Sequence, residues 1–436
     1  MADGAADVLT ASVADLAHQG EAISNAEGEA AQGAVGTDPR NWQPGVLPSQ
    51  LLMHAIHRGW IRSPALKPDQ LQPASLDLTL GAKAYRLLCS FLPDRESRVE
   101  EKLADYVLEE FDIAEGAILE RNRAYLIPLR EELALPESLR GKANPKSSIG
   151  RLDVFTRVVS DNNSRFDELP LGYRGPLFLE VVPRSFIIRV REGLSLNQLR
   201  LVAGDFGTAR YSDSALAKLH IERPILFSEG KQVSSTDLDL ADGLFLSLDL
   251  TPDVHGHVGY RAARNSRVLD LSVTGRYSWD EFWEPVRALP NGNLILEPEE
   301  FYLLLSRESV SISPVTAAEM AAYDPTAGEL RTHYAGFFDP GFGFSPVGWP
   351  DGSRATLEVR ARDVSFVVEH GQRLCRLIFE RLVEETELVY GQGIGSTYQD
   401  QKLTLSKHFA SQGPVGQLTL PDTPPVRAKV GSRSRV

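Results

Sequence analysis

The sequence predicts a mainly β protein built from two tandem units, each a barrel or sandwich carrying a few short helices. Two observations predict it. Apolar runs of strand length (YLIPL, LFLEVV, FIIRV, LFLSLDL, LILE, FYLLL) are broken at short intervals by Gly, Pro, Asn or Asp clusters, as strands alternate with turns. The chain also repeats itself. SLDLTL at 75–80 returns as SLDLTP at 247–252, ILERNRAYLI from 118 as ILEPEEFYLL from 295, FLEV at 178–181 as TLEV at 356–359, and RYSDSAL at 210–216 as TYQDQKL at 397–403. Four matches in one order give a period of about 175 residues, a whole domain and not the short period of a solenoid.

In chain order, residues 1–45 are rich in Ala, Gly, Glu and Asp and read as a disordered arm. Residues 46–225 form the first unit, 226–410 the second, and 411–436, rich in Pro, Gly, Ser and Arg, a disordered tail. SQLLMHAIHRGW (49–60) sets Leu51, Leu52, Ile56 and Trp60 at helical spacing with Ser49 as N-cap, and residues 279–288 and those around VTAAEMAAY supply further helices. The 436 residues carry a net charge of −13, with a pI near 5.3. That balance excludes a nucleic-acid partner, which needs a basic face. No window approaches roughly 18 apolar residues, so no membrane span is expected. The amino end has an early acid and neither a basic nor an apolar leader region, so no signal peptide is expected. Cys89 and Cys375 lie in apolar runs and read as buried, reduced thiols, which fits a cytoplasmic protein.

The chemistry concentrates in NPKSSIGRLDVF (144–155), where Ser147 and Ser148 stand between Lys146 and Arg151 behind a stiffening proline. In an acidic chain an anionic ligand must be met by such local cations; the competing reading is a polar turn between strands. His54 and His57 have helical spacing but no third ligand nearby, so they read as a helix surface and not a metal site. In LFLEVV, alternation puts Leu177, Leu179 and Val181 on one face and Phe178, Glu180 and Val182 on the other. Glu180 therefore sits either at a sheet edge or in a partly buried place suited to proton transfer. Glu358 has Arg354, Arg360 and Arg362 around it in sequence, and reads as a structural carboxylate held ionised.

Taken together, QPASLDLTLG (72–81), PKSSIGR (145–151), the RFD…GYRG…LE run (165–180) and STYQDQKLTLSK (396–407) resemble the dCTP deaminase family, relatives of the trimeric dUTPases. The likeness covers both units and is to a longer, duplicated bacterial branch. It implies dUTPase-like β-barrel or jelly-roll units and zinc-free, hydrolytic deamination of dCTP to dUTP and ammonia. It also implies that Glu180 is the general base at cytosine C4, aided by Ser147 and Arg151. Lys146, Ser148, Asp167, Tyr390, Tyr398, Gln401 and Lys407 become nucleotide contacts, and Asp339 and Glu358 second-unit counterparts. Mg²⁺ would be bound through the triphosphate, with no ligand from the protein. A homo-oligomer, by resemblance a trimer, and regulation by dTTP are further implications. Unit two has YDPTAGELR in place of PKSSIGR, with Arg331 as a relic, whereas TYQDQKLTLSK is intact only there. One complete site is thus expected from unit one's core and unit two's tail. Two alternatives stand beside this reading. One is a dUTPase or bifunctional enzyme, since GYRG at 172–175 resembles the uracil-binding hairpin of dUTPases. The other is a non-catalytic nucleotide-binding regulatory protein.

Overall fold

The computed structural model describes residues 36, 38–322, 330–332, 336–345, 352–361, 363–391 and 405–410. In the first half, helix α1 (Ser49–His57) and strand β1 (Leu76–Thr79) precede β2 (Tyr125–Ala134) and β3 (Leu139–Pro145). A single helical turn, α2 (Ser147–Gly150), then leads to β4 (Val154–Ser160), β5 (Arg174–Pro183) and β6 (Ser195–Ala203). The second half contributes β7 (Phe301–Val310), β8 (Thr316–Ala322), β9 (Phe337–Phe338), β10 (Ser353–Ala361) and β11 (Arg373–Arg381). The fold is mainly β and antiparallel.

Strand β6 lies between β1 and β3, with Leu199 opposite both Leu76 and Ala143. Strand β5 lies between β2 and β4, with Glu180 opposite Leu126 and Arg157. The same pairings recur in the second half, where β10 lies on β7 with Glu358 opposite Leu303, and β8 lies on β11 with Ala318 opposite Phe379. Alternation explains which side each strand buries. Leu177, Leu179 and Val181 of β5 enter the main core, while Leu357, Val359 and Ala361 of β10 enter the second. That leaves Thr356, Glu358 and Arg360 on the opposite face of β10. The main core is shared between the halves: Tyr260, Phe282, Trp283, Leu303 and Phe409 pack into it. Backbone contact adds to this, with Val383 N donating to Val46 O at 3.0 Å.

Several local expectations change. Residues 1–35 and 411–436 lie outside the described residues, but 38–45, expected within a disordered arm, are packed. Trp42 is buried edge-on against His54 and Trp60, and Gly45 pairs with Ala203. Ser49 is the first residue of α1 and not its cap. Its hydroxyl lies 3.2 Å from Thr386 Oγ1 and accepts from Leu388 N (3.3 Å), tying α1 to the second half. Residues 279–288 form one 3₁₀ turn (Trp279–Glu281) and a strand (Trp283–Val286). VTAAEMAAY is β8: seven consecutive residues pair with β11, and this tertiary pairing outweighs the helical preference of alanine. Cys375 is buried, and burial pushes its thiol up to about 12, but Cys89 is exposed because its loop leaves the core. Among the described residues no helix is long and apolar enough to cross a membrane.

Candidate active site

The sequence PKSSIGR makes a tight turn. Lys146 is extended, then Ile149 N and Gly150 N both donate to Lys146 O (2.8 and 3.0 Å) and Arg151 N to Ser147 O (3.2 Å). Asp153 turns the chain out of α2 in the left-handed region at φ +56°, a conformation that aspartate tolerates better than most residues. This turn lines a cavity of about 370 Å³ between the halves. The first half contributes Asp77, Lys146, Ser147, Ser148, Arg151 and Gln198; the second contributes Phe337, Phe338, Asp339, Glu358, Tyr390 and Lys407.

Glu358 reaches from β10 to the serine turn. A methyl group placed on Gly150 would lie 2.6 Å from its Oε2, so the carboxylate rests on the bare backbone and would have to move aside for a larger residue there. The residue is 8% exposed, and desolvation lifts its pKa to about 8, with Arg151 opposing the rise and Asp153 adding to it. A carboxyl so placed exchanges protons near neutrality.

Further cations and carboxylates line the same cavity. Lys146 pairs with Asp77, whose pKa is raised by burial and whose Oδ1 is buried with no hydrogen-bond partner among the described residues. The Lys407 ammonium is pushed below its usual pKa by desolvation and then by Lys146. The segment carrying it is fastened to the serine turn, where Ser406 Oγ donates to Ser148 O at 2.7 Å. Asp339 is held by the first half, accepting from Arg200 Nη2 (2.9 Å) and Ser75 Oγ (3.2 Å). Arg200, 1% exposed on β6, also donates to Phe338 O (3.0 Å) and lies 4.0 Å over the Phe337 ring.

Both halves match known protein domains. Residues 43–205 match the N-terminal domain of 2'-deoxycytidine 5'-triphosphate deaminase, and residues 212–409 its C-terminal domain. The crystal structure of 2'-deoxycytidine 5'-triphosphate deaminase from Agrobacterium tumefaciens is 44% identical with a TM-score of 0.73, covering 78% of this chain and 99% of that one. The chain belongs to the dCTP deaminase family. It is therefore an enzyme that acts on the cytosine amino group of dCTP, with a dUTPase-like fold. More distant relatives include the dCTP deaminase of Ignicoccus hospitalis, 25% identical over 150 residues (34% of this chain, 78% of the relative). Another is a protein of Methanoculleus marisnigri named "dCTP deaminase, dUMP-forming", 26% identical over 166 residues (37% and 83%).

Within this cavity, the structure rearranges the residues that sequence singled out. Lys146, Ser147, Ser148, Arg151, Asp339, Glu358, Tyr390 and Lys407 come together, whereas Tyr398 and Gln401 lie outside the described residues. Glu180, expected as the base, is not at the serine turn. It is buried on β5 and accepts from Arg157 Nη2 (2.5 Å) and Nε (3.1 Å), an ion pair within the first half. Asp167 is with it and not in the cavity. Its Oδ1 accepts from Val158 N at 2.7 Å, and desolvation pushes it up to about 7. The arginines near Glu358 in sequence do not hold it ionised: Arg354 pairs with Asp249 and Arg360 with Asp153, and Arg362 is outside the described residues. Sequence reasoning passed over Asp77, Gly150 and Gln198. The recurrence of SLDLT at 75 and 247 carried the signal for Asp77; nothing local marked Gln198.

Proposed function

We propose that the chain converts dCTP and water to dUTP and ammonia with Glu358, not Glu180, as the general base. The observation that carries this is the Glu358 carboxylate seated on Gly150, beside Ser147 and Arg151 in the cavity between the halves. The ionised carboxylate removes a proton from water as the oxygen attacks C4, and the Glu358 carboxylic acid then passes that proton to the amino group as the C4–N bond breaks. Arg151 stays charged beside Glu358 and, with the Ser147 hydroxyl, orients the water and the developing tetrahedral centre. Asp339, fixed by Arg200, accepts from the sugar hydroxyl. Lys146, Lys407 and Tyr390 face the phosphates. Mg²⁺ would enter with the triphosphate and neutralise part of its charge; the orphaned Oδ1 of Asp77 fits such a cation, so this carboxylate would help to hold it.

Steady-state ammonia release from dCTP tests the reading. Glu358→Gln keeps the shape but cannot take a proton, so turnover falls by about 10² to 10⁴ while dCTP still binds by calorimetry. Full turnover in that variant would remove Glu358 from the role. Because relatives named dUMP-forming match the chain, the same assay tracks pyrophosphate: ammonia with dUTP marks deamination alone, ammonia with dUMP and pyrophosphate marks the bifunctional enzyme.

A further inference from the structure

We propose that the buried ion pair between Asp153 and Arg360 sets the position of Glu358 against the Ser147–Arg151 turn, making both of them positioning residues for the deamination. This rests on the reading of Glu358 as base. The reacting groups come from different halves, Ser147 and Arg151 from α2 and its end, Glu358 from β10, so no single element fixes their spacing. Strand periodicity puts Arg360 on the same face of β10 as Glu358, and Asp153 follows Arg151 by two positions on the turn. The two contacts run side by side: Glu358 rests on Gly150, and Arg360 grips Asp153. One contact would leave the strand able to pivot on the turn. Two fix both its distance and its rotation.

Each end of the pair is itself anchored. Asp153, 1% exposed, accepts from Ser185 Oγ (2.5 Å), and its carbonyl accepts from Arg184 N (2.9 Å). Arg360, 5% exposed, also donates to the Glu299 carbonyl, and the Glu299 carboxylate pairs with Arg184 at 2.9 Å. A buried pair contributes little net stability over an apolar replacement, so its use here is geometric. The repeat supplies an internal control. In the FLEV and TLEV matches Arg360 falls where the first half has Val182, and the glutamate of that half lies away from the cavity.

The test is Asp153→Asn, Arg360→Met and the double variant, assayed by ammonia release well below the melting temperature. Each single variant is expected to lower kcat about 10- to 100-fold with KM for dCTP within about threefold. The double variant loses no more than the worse single, because the same constraint is already gone. The acid limb of the pH profile moves to lower pH in Asp153→Asn, which removes a negative charge near Glu358. It moves to higher pH in Arg360→Met, which removes a positive charge from beside Asp153; Arg151 bears on Glu358 in both. A purely structural pair would lower Tm and leave kcat at the pH optimum unchanged; the limb shift reports only the lost charge. Folded single variants with kcat within about twofold of the parent, or additive losses in the double, overturn the proposal. Should Arg360→Met not fold, the nearly isosteric Asp153→Asn decides by the same readouts. Glu358→Gln run alongside separates the two levels. An inactive Glu358→Gln with unaffected Asp153→Asn overturns the lock alone; an active one overturns base and lock together.

Discussion

Glu180 and Glu358 stand at matching places in the two halves, each on a strand in the middle of a sheet, and their surroundings have gone opposite ways. Glu180 is closed in by its own half: Arg157 binds it through two nitrogens and lies 4.1 Å over the Phe166 ring. Among the described residues no cation of its own half pairs with Glu358, which meets the other half's turn instead, where burial and not pairing dominates its pKa. The difference teaches that a carboxylate's immediate sequence neighbours say little about its protonation. Arg354 and Arg360 flank Glu358 and both serve other carboxylates.

The largest expected effect is on turnover. Glu358→Gln and Glu180→Gln, measured together by ammonia release, are expected to differ by at least tenfold, the first falling by about 10² to 10⁴ and the second by less than tenfold. Equal losses would mean that the first half's glutamate also reaches a reacting water. Next is Gly150→Ala, whose methyl displaces the Glu358 carboxylate; a misplacement of this size costs about 10²-fold in kcat, with Tm nearly unchanged. An active Gly150→Ala would show that the carboxylate need not rest on the turn.

Smaller effects sharpen the comparison through stability. Glu180→Gln exchanges a charge-assisted pair for a neutral one and is expected to cost about 1–3 kcal/mol in chemical denaturation. Glu358 behaves oppositely. Its folded pKa of about 8 exceeds the ordinary 4.5, so between those values the folded chain binds more protons than the unfolded one, and stability falls as pH rises. Glu358→Gln removes this dependence. Its Tm relative to the parent is therefore expected to climb by a few degrees from pH 5 to pH 9, and a flat difference would mean that the carboxyl is not strained by burial.

The strands were legible because alternation is local: the pattern within LFLEVV needs no third dimension. The family resemblance was legible in PKSSIGR for the same reason. The choice of glutamate was not. The half that owns the serines owns a glutamate as well, and only the packing of β10 across the turn brings Glu358 of the other half to them. RFD reads like FFD in sequence, but Asp339, in the grip of Arg200, lines the cavity and Asp167 does not. β8 was misread because alanine propensity is local and pairing with β11 is not.

A site divided between two halves of one polypeptide has a kinetic consequence. When the parts of a catalytic centre come from separate chains, diluting the enzyme separates them. Here the Ser147 turn and Glu358 are tethered, so each sees the other at a fixed effective concentration set by the connecting chain and not by the amount of protein in solution. Specific activity at this centre is expected to hold constant on dilution, even through the range where any higher assembly comes apart.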